Sequence, residues 1–208
     1  MKSHTLCSLL KLAFLALISG LLLTSCGSTP FKDTSSKMIV SVKDQTMLLT
    51  KDGKPVKAYR VSTSKFGVGN TRNSYRTPLG KMEIARKIGG GSQSGTVFKS
   101  RRKTGEVLKP DAPGRDPIVT RIMWLKGNEH RNNNAYSRYI YIHGTPEERT
   151  IGSPTSYGCI RMKSQDIIDL YRRVGLGAEV KVIDGHLYKT REGRKSTALL
   201  RELFYGGA

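Results

Sequence analysis

The sequence predicts a mainly β domain with one main helix. Short apolar runs bounded by turn residues recur from residue 38 onward. An Asp52-Gly53 dipeptide sits between two of them. Only one segment combines helical periodicity with helix end signals. Residues 38–42 read as a first strand, and 45–50 and 56–62 as a hairpin, because Asp-Gly adopts the positive φ that a tight hairpin turn needs. Residues 81–88 read as the next strand. The glycine-rich 89–95 is a loop; it lacks the lysine of a phosphate-binding loop. Residues 100–114, basic and bearing Pro and Gly, read as a surface stretch. Strands are expected at 118–125 and 138–143, separated by a polar loop at 127–135. The helix is expected to be capped by Ser164 and to bury Ile167, Ile168, Tyr171 and Val174. Gly175 is expected in the left-handed position that ends it. A strand at 178–183 and a short helix at 197–204 complete the reading. No internal repeat is present.

The 208 residues suit one medium domain. The 36 Lys and Arg against 16 Asp and Glu give a net charge of +20, while 37% of residues are hydrophobic. That apolar share argues against disorder. The single long apolar run, 12–23, argues against a multi-span membrane protein and is short of a full span. It suits the apolar core of a secretory signal. It ends in Leu23-Thr24-Ser25-Cys26, which resembles the lipobox of bacterial lipoproteins. The resemblance implies cleavage after residue 25, lipidation of Cys26 and a membrane-anchored domain in the periplasm or cell envelope. Residues 26–36 are then a tether. Removing 1–25, which holds Lys2, Lys11 and no acidic residue, leaves 34 basic and 16 acidic side chains and a net charge of +18. An exported basic domain points to anionic envelope polymers rather than nucleic acid. Much of the charge, at Lys99, Arg101, Arg102 and 189–195, is expected to lie away from the chemistry. Of the three cysteines, Cys7 leaves with the signal, Cys26 is the anchor, and Cys159 remains as a lone thiol. In an exported domain that thiol is a candidate reactive group or a small buried hydrophobe.

The chemistry concentrates in Tyr141-Ile142-His143-Gly144-Thr145 and Ser156-Tyr157-Gly158-Cys159-Ile160-Arg161-Met162. A cysteine attacks as thiolate, so it needs a base or a positive field. His143 ends a strand, and the intervening loop can bring its imidazole back to the sulfur. Gly158 allows close backbone approach, and N–H groups around 157–159 can face an oxyanion. Arg161 offers a fork for a carboxylate or serves as a structural cation. His130 lies in a polar loop and His186 beyond the last core strand. Three histidines without paired spacing make a poor metal site, so no metal is expected.

The two segments resemble the catalytic signature of YkuD-type L,D-transpeptidases. Thr77-Pro78-Leu79-Gly80 and Val61-Ser62-Thr63 resemble further parts of that family's pattern, and the likeness covers about residues 37–184. It implies a mixed β-sandwich with the main helix after the catalytic motif. The catalytic domain would span 37–185, followed by a basic C-terminal extension, 186–208. It implies a nucleophile at Cys159, a base at His143, and Ser156, Tyr157, Gly158 and Gly144 as positioning or oxyanion residues. Arg161 would hold a carboxylate of the substrate, a peptidoglycan stem peptide. The implied reaction is acyl transfer through a thioester, cross-linking third residues of two stems, with no cofactor and a monomeric enzyme. Water or a protein lysine as acceptor, or a catalytically weak wall-binding lipoprotein, are the alternatives. Tyr157 stands where the family usually has His, and Gly144 where some relatives have Ser, leaving only a backbone carbonyl to orient His143.

Overall fold

The computed structural model describes residues 31–205. The apolar run 12–23, Cys26, the start of the 26–36 tether and the last three residues lie outside them. Ten strands follow in order: β1 (Ser36–Ser41), β2 (Thr46–Lys51), β3 (Lys54–Arg60), β4 (Gly80–Ile88), β5 (Thr96–Lys99), β6 (Arg102–Val107), β7 (Ile118–Gly127), β8 (Tyr141–Gly144), β9 (Ile160–Met162) and β10 (Glu179–Ile183). Helix α1 (Ser164–Arg173) lies between β9 and β10. A single turn α2 (Arg191–Arg194) and α3 (Thr197–Tyr205) follow β10. The mainly β expectation with one main helix holds.

The strands form one mixed sheet in the order β3-β2-β1-β10-β4-β7-β5-β6, with β8 paired to β7 and β9 to β8. Only β1–β10 and β8–β9 are parallel. Each of those pairs is joined by a long excursion, as parallel neighbours require. The sheet curls back on itself: Ser62, just past β3, exchanges two backbone hydrogen bonds with Arg161 of β9, at 2.9 and 3.0 Å. Strand alternation therefore sorts side chains into an inner and an outer face. Met38, Val40, Met47, Leu49, Met82, Ile84, Met123, Leu125, Ile142, Ile160 and Met162 meet inside with Ile167 and Leu170 of α1 and with Val174 just past its end. On the outer face of β1 and β2, Ile39 and Leu48 are covered by Leu187 and Leu200 of the C-terminal extension.

The Asp52-Gly53 turn forms as expected, with φ of 50° and 71°. Four local expectations change. Part of the 100–114 stretch is β6, paired with β5. Its sequence RKTGEV is mostly exposed, with Val107 its one apolar side chain, so it carries no alternation to read. The strand expected over 138–143 begins only at Tyr141, because 134–140 closes a turn through Arg138 N–H to Asn134 O and Ile140 N–H to Ala135 O. Tyr139 within it has φ 58°. Ser164 is the first helical residue, after an N-cap at Lys163. Its hydroxyl bonds Thr120 and its N–H donates to the Glu148 carboxylate. Gly175 is not in the left-handed region. Lys87 Nζ instead donates to the Tyr171 and Val174 carbonyls at 2.7 and 2.6 Å, a cation on the negative end of the helix.

Candidate active site

Strand register brings the predicted residues together. In the parallel pair β8–β9, Ile142 lies opposite Ile160, His143 opposite Arg161 and Gly144 opposite Met162. Ile142, Ile160 and Met162 point into the core. The period of two therefore turns Tyr141, His143 and Arg161 to the other face, and Cys159, two residues before Arg161, with them. There Phe98, Ile122, Trp124 and Tyr141 form a second apolar cluster against which Cys159 packs.

Motifs far apart in sequence hold the loop that carries the thiol. Ser156 N–H donates to Thr63 O at 2.9 Å, and Lys65 N–H to Ser156 O at 3.1 Å. Thr77, fully buried, accepts from Ser64 N–H through its hydroxyl and donates that hydroxyl to Gly158 O at 3.1 Å. Ser156 Oγ accepts from Gly158 N–H at 3.2 Å and donates to Cys159 O at 2.6 Å. Gly158 sits at φ 116°, a conformation that side chains resist, although a Cβ would have ordinary packing room. The Val-Ser-Thr and Thr-Pro-x-Gly segments are thus the scaffold of the cysteine loop. A buried polar network of this kind fixes one loop geometry when its members are satisfied.

His143 is 5% exposed. Its Nδ1 lies 2.9 Å from Gly144 O. A carbonyl only accepts, so Nδ1 carries the proton and Nε2 keeps its lone pair. Burial pushes the imidazole down to about 4, against the raising effect of the Gly144 bond; the Arg161 charge lowers it further and Asp116 raises it. Burial likewise pushes the Cys159 thiol up to about 11, with the Tyr141 backbone, Arg161 and Arg138 pulling it back. Its Sγ lies 3.5 Å from Tyr139 O. Thiol and imidazole are therefore both neutral near pH 7.

Gly144 has a steric reason. Strand β7 carries a bulge between Val119 and Ile122, with Thr120 at φ 71°. A Cβ on residue 144 would come 2.7 Å from Val119 O and 3.1 Å from Thr120 Cβ. Tyr157 is 56% exposed. It packs with Phe66 and Tyr75, ring centroids 5.6–5.9 Å apart, and Lys65 Nζ donates to its hydroxyl at 2.9 Å. A cavity of about 190 Å³ opens beside it, lined by Arg72, Asn73, Tyr75, Arg138 and Tyr139 among others.

Three residues of this region escaped the sequence. Asp116 pairs with Arg161, which is only 9% exposed, and accepts from Thr145 Oγ1. Arg161 is thus an internally paired cation beside the thiol, not an open fork. Arg138 donates to the Gly69 and Arg76 carbonyls and ties the 134–140 turn to the 66–76 loop. Arg101, expected far from the chemistry, stands over the aromatic cluster beside Cys159: its guanidinium lies 5.1 Å from the ring centroids of both Trp124 and Tyr139. A lone carboxylate such as Asp116 has no sequence pattern, and Arg101 belongs to a hairpin whose residues carry no apolar alternation. His130 is exposed, and His186 bonds Asp44 at 2.6 Å. Neither reaches the cysteine cluster.

A mixed β domain presenting a half-buried thiol at the start of one strand and a buried imidazole on its parallel neighbour has the makings of a thiol acyl-transfer site. The family model for the YkuD domain, described as the L,D-transpeptidase catalytic domain, matches residues 35–182, and the chain belongs to that family. A Fuscovulum blasticum protein from the ATP synthase subunits region, provisionally named an L,D-transpeptidase, is 35% identical over 108 residues, 51% of each chain. Bacillus subtilis YqjB, also provisionally so named, is 27% identical over 152 residues, 71% of this chain and 70% of that protein. Among solved structures, L,D-transpeptidase 3 from Mycobacterium tuberculosis in complex with a faropenem-derived adduct is similar with a TM-score of 0.48 and 18% identity, over 72% of this chain and 60% of that one. The chain thus spans about half the length of the first of these relatives.

Proposed function

We propose that this protein is a cysteine-dependent L,D-transpeptidase that cross-links peptidoglycan stem peptides through a thioester. The observation that carries the reading is the shared outer face of Cys159 and His143, within the matched family domain. The carbonyl carbon of a stem's third residue meets Cys159 Sγ. As the C–S bond forms, the thiol proton passes to His143 Nε2 and the carbonyl oxygen becomes an oxyanion. A thiol near 11 and an imidazole near 4 do not form a resting ion pair, so proton transfer accompanies attack. Gly158 N–H is already engaged by Ser156, so the oxyanion takes N–H donors from Tyr157 and Cys159. The C–N bond to the terminal D-alanine breaks, and the imidazolium returns its proton to the leaving amine. A second stem's amine then attacks the thioester and gives its proton to His143; the C–S bond breaks, and the imidazolium returns that proton to the departing sulfur. The buried Arg161–Asp116 pair positions the thiol and imidazole electrostatically.

Incubation of the protein with a tetrapeptide stem tests this. Intact mass spectrometry should show an adduct of the stem less D-alanine on Cys159, followed by cross-linked product. No adduct on the wild type, or the same product from Cys159→Ala, overturns the reading. Replacing the acceptor amine by water alone separates transpeptidation from hydrolysis. We further propose that residues 1–25 are a lipoprotein signal and that Cys26 anchors the domain at the envelope. Labelled-palmitate incorporation that is lost in Cys26→Ala would support the anchor, and retained labelling would refute it.

A further inference from the structure

The β5–β6 hairpin supplies a residue that the strand pattern does not account for. Lys99 pairs with Arg102, so Ser100 and Arg101 form a two-residue turn. Their φ values are 49° and 66°. This turn favours Asn-Gly, because an L side chain in the left-handed region crowds its own backbone. Glycine at 101 would make the same turn unstrained, yet the chain keeps a long cation there. That cation folds back over the aromatic cluster against which Cys159 packs. It lies over Trp124 and Tyr139, and its Nη1 donates to Tyr141 Oη at 3.4 Å. Cys159 packs against the cluster containing Trp124 and Tyr141, and its thiol lies against the Tyr139 carbonyl. Among the described residues no carboxylate pairs with Arg101, whereas Arg161, another cation near the thiol, pairs with Asp116. A guanidinium held over aromatic faces is already ordered and still offers in-plane N–H donors that match a carboxylate.

We propose that Arg101 is the specificity-determining residue that receives a free carboxylate of the acyl donor, the role that Arg161 cannot fill while paired with Asp116. This rests on the acyl-transfer reading of Cys159. The strained turn fits a side chain kept for its ligand, since relaxing it to glycine would help the fold. The ligand chemistry is a peptide carboxylate within reach of the thiol, from the third residue's side chain, the preceding residue or the terminal D-alanine.

The test uses the full chain with Cys159→Ser for binding and with Cys159 intact for acylation. The probes are a tetrapeptide stem and versions amidated at one carboxylate at a time. Arg101→Gly should weaken binding of the unmodified stem about tenfold or more. Its melting temperature should be unchanged or higher, and the iodoacetamide rate at Cys159 should not change. One amidated stem should bind Arg101→Gly and the parent equally, which identifies the carboxylate. Arg101→Lys should recover part of the loss. A stem that does not bind, that binds Arg101→Gly as tightly as the parent, or that loses affinity equally with every amide overturns the proposal. Arg101-dependent binding without acylation would leave this assignment standing and sink the acyl-transfer reading. Acylation without Arg101 dependence would do the reverse.

Discussion

Replacing His143 with Gln should make the protein more resistant to acid. In the unfolded chain a histidine titrates near 6.5, and in the fold burial holds His143 down to about 4. Above pH 6.5 both states are neutral there and the group contributes nothing. As pH falls below 6.5 the unfolded chain takes up a proton that the folded site refuses, so stability falls. The penalty is complete below pH 4. At about 1.4 kcal/mol per pH unit, the interval is worth about 3 kcal/mol. The side chain is 5% exposed, so solvent screening does not reduce this much. Glutamine keeps an N–H that can reach the Gly144 carbonyl but cannot titrate. Urea unfolding of both proteins at pH 7.5 and pH 3.5 measures the effect, because every other titrating group is common to the two and cancels. The difference in unfolding free energy should move by about 3 kcal/mol in favour of the variant at the lower pH. Parallel pH profiles, or a wild type that gains on the variant, would refute the assignment of a buried neutral imidazole. The same proton should set the acid limb of kcat/KM near pH 4 rather than 6.5.

Three further outcomes are expected. With its thiol held near 11, Cys159 should react with iodoacetamide at pH 7 far more slowly than a free thiol of ordinary pKa, the rate climbing up to about pH 11; a plateau by pH 8 would contradict the desolvated thiol. Asp116→Ala should cost about 3–5 kcal/mol in chemical unfolding, since it strands a nearly buried Arg161, whereas a loss below about 1 kcal/mol would mean that the pair behaves as a surface ion pair. Gly144→Ala should cost about 1–3 kcal/mol by forcing Cβ against Val119 O and Thr120, measured as a shift in urea midpoint at constant slope; no shift would mean that the β7 bulge yields freely.

Much of the fold was legible because its signals are local. The Asp52-Gly53 turn announces a hairpin through backbone conformation alone. The inner strands announce themselves through buried apolar runs, and α1 through a stripe of which Ile167 and Val174 are buried. Leu170, equally buried, completes that stripe one turn further along the same face. Strand β6 escaped because an exposed edge needs no apolar face, and the end of α1 because a lysine from another strand, not its own glycine, meets its carbonyls.

The candidate site divides the same way. Cys159, His143, Gly158 and the segments around Ser62 and Thr77 were visible as residues, and their spacing placed a thiol and an imidazole within one loop of each other. What the sequence alone determined was the inventory of chemistry and the family that carries it. Tertiary structure decided which charges act on that chemistry. Asp116 closes on Arg161 and removes it as an open receptor, while Arg101 reaches from a strained turn over Trp124 and Tyr139. A charge reports its type in one dimension, but its partner and its desolvation exist only where distant segments meet, and those set whether it neutralises a neighbour, shifts a pKa or waits for a ligand.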